Sequence, residues 1–256
     1  FDRLQELFSR GVLKKGVPAT VATGTIRWSR TLAEHWLHKA GTLRSNLYSY
    51  GLRYADVGVI GATPEVLFET KAGVLRTMAL AGTRPAADTA ELGESPKDLH
   101  EHELVKDFLR EVLSPFGKVA IGQTGVRDFG QLHHLHTPVS VTLDCAPSFE
   151  GLVASLHPTP ALGTSPRCPE GEAWLRQMDA AVPRGRYGSP FGVRFGNGDM
   201  LCLVAIRNMQ FSGNVLRVWS GCGVVPTSQF ENEWSEICVK SETILKTWDV
   251  QMNASL

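Results

Sequence analysis

The sequence predicts an α+β fold built on largely antiparallel sheets. Three observations predict it. Strand-like segments come in pairs joined by short turns, the clearest being Val66–Glu69 and Val74–Leu80 across Lys71-Ala72-Gly73. Helical spacing falls between the pairs, most clearly over Pro96–Leu113. Strands and helices do not alternate one for one, as a parallel sheet of βαβ units requires.

Phe1 to Phe8 has helical spacing, with Leu4, Leu7 and Phe8 on one face. Arg30 to Ala40 forms a second helical segment. Gly51–Ile60 has strand character through Tyr54, Val57 and Val59, and Pro64 interrupts it. Ser95 can cap the helix over Pro96–Leu113, where Leu104, Val105, Phe108 and Val112 recur at helical spacing. Val119–Gln123, Val139–Leu143, Leu201–Met209 and Val215–Ser220 are the remaining strands, with Ser212-Gly213-Asn214 as a hairpin turn. Gln229 to Trp248 closes the chain as a helix. Pro158 to Gly171, rich in Pro, Thr and Ser, has the composition of a surface loop.

The length of 256 residues suits one large domain or two small ones, and no linker is apparent, so 1–256 is taken as one domain. The 26 basic and 26 acidic side chains cancel, which argues against a nucleic-acid partner. No apolar run reaches the roughly 18 residues of a membrane helix. The first residue is Phe, which suggests a start inside a longer chain, with an N-terminal portion missing from view. Five cysteines without CxxC spacing suggest reduced thiols in a cytoplasm.

Chemistry is suggested first by paired acids. Asp98 and Glu101 share one helix face, as do Glu233 and Glu236. Four carboxylates from two helices could hold a hard cation such as magnesium. The same spacing is common on solvated helix faces. Among His133, His134 and His136, strand alternation puts the last two on one face, and the absence of nearby Cys or acid ligands points away from zinc. Gly221-Cys222-Gly223 follows a strand and is either a tight turn or a set of amides for an anion.

The motifs in order resemble the chorismate-utilising enzymes. Gly61-Ala62-Thr63-Pro64-Glu65 is similar to their GxSPE segment, and Ala81-Gly82-Thr83 to their AGT segment. Lys97-Asp98-Leu99-His100-Glu101-His102 resembles their KDxxEH helix, and His134-Leu135 their HL strand. Leu156-His157-Pro158-Thr159-Pro160-Ala161 resembles their HPTPA loop. Arg207, Gly221-Cys222-Gly223-Val224-Val225 and Glu233-Trp234-Ser235-Glu236 through Lys240 complete the series.

The resemblance implies that family's fold, with sheets packed together and helices outside. It implies that Glu101 and Glu236 hold magnesium, with Asp98 and Glu233 as an outer shell. Chorismate is a dicarboxylate, and Arg207, Lys240 and the amides around Gly221 and Gly223 resemble its anion binders. Ala81, Gly82, Thr83, Thr159 and Tyr187 are implied as further substrate contacts, and His134 as a catalytic histidine.

Family members differ in the nucleophile that replaces the ring hydroxyl. Water users carry a lysine base and a glutamic acid, which Lys15 and Glu65, 50 positions apart, match. On residue type alone, Lys14 and Lys15 read as surface lysines. Ammonia users tend to have an uncharged residue where Lys15 stands, and some place a lysine where Ala81 stands. The resemblance therefore implies an isochorismate synthase without a glutamine amidotransferase partner. Salicylate synthase, anthranilate or aminodeoxychorismate synthase, and a non-catalytic chorismate-binding domain are the alternatives. Departures from the family pattern fall at Gly16–Thr20, where Pro18 stands and an arginine is absent, and at Thr164 and Ser189, where the family has glycine.

Overall fold

A computed structural model of the chain describes residues 1–43, 46–85, 92–129 and 132–252. Its strands form two large antiparallel sheets and one two-stranded ribbon. The seven-stranded sheet runs β11 (Pro190–Arg194), β12 (Met200–Val204), β5 (Val66–Lys71), β6 (Val74–Pro85), β9 (Leu132–Leu143) and β7 (Gly117–Ile121), with β8 (Gly125–Asp128) also on β9. The five-stranded sheet runs β2 (Ala19–Thr25), β14 (Val215–Gly221), β13 (Asn208–Ser212), β4 (Val57–Thr63) and β3 (Tyr48–Tyr54). The ribbon pairs β1 (Lys15–Gly16) with β10 (Thr164–Ser165).

Helices cover these sheets because their apolar stripes must leave water. Val105, Leu109 and Leu113 of α3 (Pro96–Leu113) meet Leu75, Ala79, Val139 and Val141 of the larger sheet. Leu152 and Leu156 of α4 (Phe149–Leu156) join the same core. Trp36 of α2 (Arg30–Thr42) and Ile244 of α6 (Phe230–Thr247) pack with Met209, Phe211 and Val218 of the smaller sheet. Leu4 and Leu7 of α1 (Asp2–Ser9) and Trp174 of α5 (Pro169–Ala181) enclose Cys222 and Val224. Tyr50 and Val59 of one sheet touch Val66 and Leu203 of the other, so the sheets themselves are in contact.

Several expectations need correction. The single strand expected over Gly51–Ile60 is a hairpin, β3 and β4, which turns at Ala55 with φ 52. Leu201–Met209 is two strands in different sheets, broken at Arg207 with φ 55. Pro158–Gly171 is not a surface loop: Thr159 and Thr164 are buried, β10 lies within it and α5 starts at Pro169. Leu201–Ile206 is apolar without a break, so alternation does not mark where the chain leaves the first sheet. The elements β1, β2, β8, β11, α4 and α5 lie outside the expected set. The cysteines are unbridged, and among the described residues no helix is long and apolar enough to cross a membrane.

Candidate active site

The site begins at the start of α3. Ser95 Oγ accepts a hydrogen bond from the Asp98 N–H at 3.3 Å, and Pro96 stands where no intrahelical N–H bond is possible. This start turns Asp98, Glu101 and His102 inward, in line with Val105 and Leu109. Glu233 of α6 is buried in the same way, on the stripe of Ile237, Ser241 and Ile244. These acids are therefore not on a solvated face, and their negative charge needs partners.

Each acid has a cation. Lys15 Nζ lies 2.9 Å from Glu101 Oε1, and Lys97 Nζ lies 2.7 Å from Glu233 Oε1. Lys240 Nζ lies 2.6 Å from Glu236 Oε1 and also donates to the Gly221 carbonyl at 2.8 Å. Arg84 Nε donates to Asp98 Oδ2 at 3.1 Å. Burial pushes the Glu101 carboxyl up, but Lys15, Lys97 and Lys240 outweigh it and hold the group below the ordinary carboxylate range. For Glu233 burial wins over Lys97, and the carboxyl is raised.

A cavity opens between these helices and the sheet ends. Glu65, Glu101, Glu236, Arg207, Lys240, His134 and Tyr187 line it, with Ala81, Gly82 and Thr83 along one side and Gly221, Cys222 and Gly223 along the other. Gly82, with φ 75, is the bulge that shifts the β6–β9 register between Ala81 and Thr83. Gly223 is required by space: a Cβ there would lie 1.9 Å from Glu101 Oε1.

Glu65 and Arg207 occupy the two places where the chain passes between the large sheets. Glu65 lies between β4 and β5, and Arg207 between β12 and β13. The crossings are tied together, since Val204 N–H donates to the Glu65 carbonyl at 3.1 Å and Ala62 N–H to the Arg207 carbonyl at 3.2 Å. Burial raises the Glu65 carboxyl to about 7, against the opposing pull of Lys15, Arg207 and Lys240. This acid holds its proton close to neutrality.

His134 is a fixed neutral ring. Burial first, and then Arg207, hold it well below its ordinary value. Arg207 Nη2 lies 3.2 Å from Nε2 and can only donate, so Nε2 accepts. The proton is then on Nδ1, which lies 3.0 Å from Thr83 Oγ1. His136 does not line the cavity with His134; it lines a separate groove with Met78 and Tyr48.

Two expected contacts lie elsewhere. Lys15 is fully buried behind Glu101, and Lys14 is exposed. Thr159 does not line the cavity; its carbonyl accepts from Leu162 N–H at 2.9 Å, and this turn presents Ala161 and Leu162 instead. Thr164 and Ser189 also stay outside the cavity wall: Thr164 faces Gly171, and Ser189 Oγ donates to the Arg186 carbonyl at 2.6 Å. Val17, Trp219 and Ser220 line the cavity without having been singled out in the sequence. The alternation of β14 into its glycine turn was the available signal for the latter two. His102 is a further omission. It is buried, lowered to about 4 by that burial, and bridges the Ala81 carbonyl and the Thr137 hydroxyl at 3.3 and 2.7 Å.

Glu101 and Glu236 on one cavity wall form an oxygen-only donor set of the kind magnesium accepts. Among the described residues no three His, Cys, Asp or Glu side chains converge as a closed metal site. Magnesium fits this arrangement, because it is commonly held by one or two carboxylates and keeps other positions for water and substrate.

Known proteins share this architecture. Over 201 residues the chain is 35% identical to the salicylate biosynthesis isochorismate synthase of Pseudomonas aeruginosa, covering 75% of this chain and 42% of that protein. Over 232 residues it is 31% identical to isochorismate synthase DhbC of Bacillus subtilis, covering 86% of this chain and 58% of that one. The structure of DhbC from Bacillus anthracis superposes with a TM-score of 0.85 at 28% identity, covering 98% of this chain and 70% of that chain. MenF from Escherichia coli follows with a TM-score of 0.79 at 25% identity, over 96% of this chain and 59% of that chain. The chain thus spans 42% to 58% of the length of these two curated relatives. Residues 6–248 match the family described as chorismate binding enzyme, and the chain belongs to that family.

Proposed function

We propose that this chain converts chorismate to isochorismate with magnesium, by adding water at ring carbon two and releasing the hydroxyl from ring carbon four. The observation that carries the reading is Glu65, a buried acid raised to about 7 on the wall of a cavity that also presents Arg207 and Lys240. An acid near neutrality can protonate a leaving hydroxyl, and the two cations suit a dicarboxylate. Relatives named isochorismate synthase at 35% and 31% identity support water as the nucleophile.

In this mechanism Glu65 gives a proton to the departing hydroxyl, and Lys15 is the base for the attacking water, a role that requires it to leave the Glu101 carboxylate, give up its own proton and turn toward the cavity. Water is consumed and released, so the reaction is balanced without a redox step. Arg207, Lys240 and the Gly221–Gly223 backbone hold the carboxylates. His134 accepts from Arg207 and so positions it, instead of moving a proton itself. Glu101 and Glu236 would hold magnesium, which when bound neutralises the ring carboxylate.

A second reading, chorismate binding without turnover, is favoured by one observation: Lys15 sits against Glu101 and not on the cavity wall. Incubation with chorismate and magnesium, followed by chromatography, separates the two. Isochorismate is the expected product. Salicylate with pyruvate would move the assignment to salicylate synthesis, and unchanged chorismate would reject turnover.

A further inference from the structure

We infer that Tyr50 and Asn208 are positioning residues that set Arg207 in the cavity wall. The inference rests on the reading of Arg207 as a holder of a substrate carboxylate. The crossing from β12 to β13 consists of three residues, Ala205, Ile206 and Arg207. Its last residue has φ 55, a left-handed conformation that a side chain with a Cβ disfavours. Something outside the crossing must hold it.

Tyr50, two strands away on β3, reaches over β4 to the crossing. Its hydroxyl donates to the Ile206 carbonyl at 2.8 Å. Asn208 Nδ2 donates to the Tyr50 oxygen at 3.0 Å and to the Ala205 carbonyl at 2.6 Å. The Tyr50 hydroxyl thus fixes the Ile206 carbonyl, and the Asn208 amide fixes the Ala205 carbonyl together with the Gly188 N–H, which donates to it at 2.8 Å. The amide orientation follows from the chemistry: Ala205 O can only accept, and the Tyr50 proton is already given to Ile206 O. Asn208 Oδ1 is then left buried without a hydrogen bond. An apolar residue would avoid that penalty, so the amide is explained by its two donors.

The packing around the pair supports the same role. Asn208 is fully buried and Tyr50 nearly so. A Cβ on Gly61 would lie 2.5 Å from the Tyr50 hydroxyl and 2.8 Å from Asn208 Cβ, so this glycine supplies the space for the clamp. Neither Tyr50 nor Asn208 lines the cavity. They act through Arg207, whose guanidinium reaches His134 and the cavity.

Tyr50→Phe tests the clamp, because it removes one oxygen and keeps the ring. With saturating magnesium, the KM for chorismate should rise about 5- to 10-fold, the size of one lost hydrogen bond, with kcat nearly unchanged. Asn208→Ala should move KM in the same direction. Val59→Ala, in the same core cluster, should lower Tm and leave KM alone. Crystal structures of wild type and Tyr50→Phe report the Arg207 φ and its distance to His134 whether or not turnover occurs. An unmoved Arg207, an unchanged KM in Tyr50→Phe, or an equal KM rise in Val59→Ala would overturn the clamp. Wild-type protein that leaves chorismate unconverted, with Arg207 displaced in Tyr50→Phe, would sink the functional reading and keep the clamp.

Discussion

Replacing Glu65 with glutamine separates what the carboxyl does for chemistry from what its burial costs the fold. In the folded chain burial raises this group from 4.5 to about 7. The folded state therefore keeps its proton to higher pH than the unfolded state does. Below about pH 4.5 the group is protonated in both states and contributes nothing. Between about 4.5 and 7 stability falls as pH rises, and above 7 the loss is complete. At about 1.4 kcal/mol per pH unit the loss is roughly 3 kcal/mol. Glutamine has nearly the same shape and does not titrate, so Glu65→Gln escapes it. The variant should match wild type in Tm near pH 4 and exceed it by about 6–12 °C at pH 8, taking 2–4 °C per kcal/mol for a chain of this size. Calorimetry across that range measures the difference. Turnover should fall about 10²-fold or more, because the leaving hydroxyl loses its proton donor. A Tm difference that does not change with pH, or glutamine protein that converts chorismate at the wild-type rate, would refute the assignment of Glu65 as a buried acid.

Four other outcomes are expected. Excess chelator should abolish turnover, and Glu101→Gln or Glu236→Gln should do the same at ordinary magnesium, as followed by isochorismate formation. Gly223→Ala should lower Tm and raise the magnesium needed for half-maximal rate by about tenfold, because its Cβ would displace the Glu101 carboxylate, 1.9 Å away, from its buried pairing with Lys15. Lys15→Ala should lose about 10²-fold in kcat while Lys14→Ala, at an exposed position, keeps it; the reverse would exchange their roles. Ammonium salts should give no anthranilate from chorismate, and its appearance on chromatography would reject water as the nucleophile.

Much of this protein was legible in its sequence because the signals are local. The spacing of Leu104, Val105, Phe108 and Val112 and the Ser95 cap mark α3, and an i, i+3 relation puts Asp98 and Glu101 on one face whatever they meet. Short turns at Lys71–Gly73 and Gly213 mark hairpins for the same reason. The order of the motifs carried the family. Only tertiary structure decided whether the acidic faces meet water or one another, because helix periodicity gives the direction of a side chain and not its neighbour. Burial of Lys15 against Glu101, across 86 positions, is likewise invisible to spacing. The two crossings show the limit most clearly. Leu201–Ile206 is one apolar run, yet the chain leaves one sheet at Val204 within it and enters another at Asn208. The break at Arg207 is held by hydrogen bonds to Ala62, Tyr50 and Asn208, and Glu65 is brought beside it by the same pairing. Hydrogen bonds between distant strands leave no periodic trace along the chain, so the site they assemble appears only when the sheets are formed.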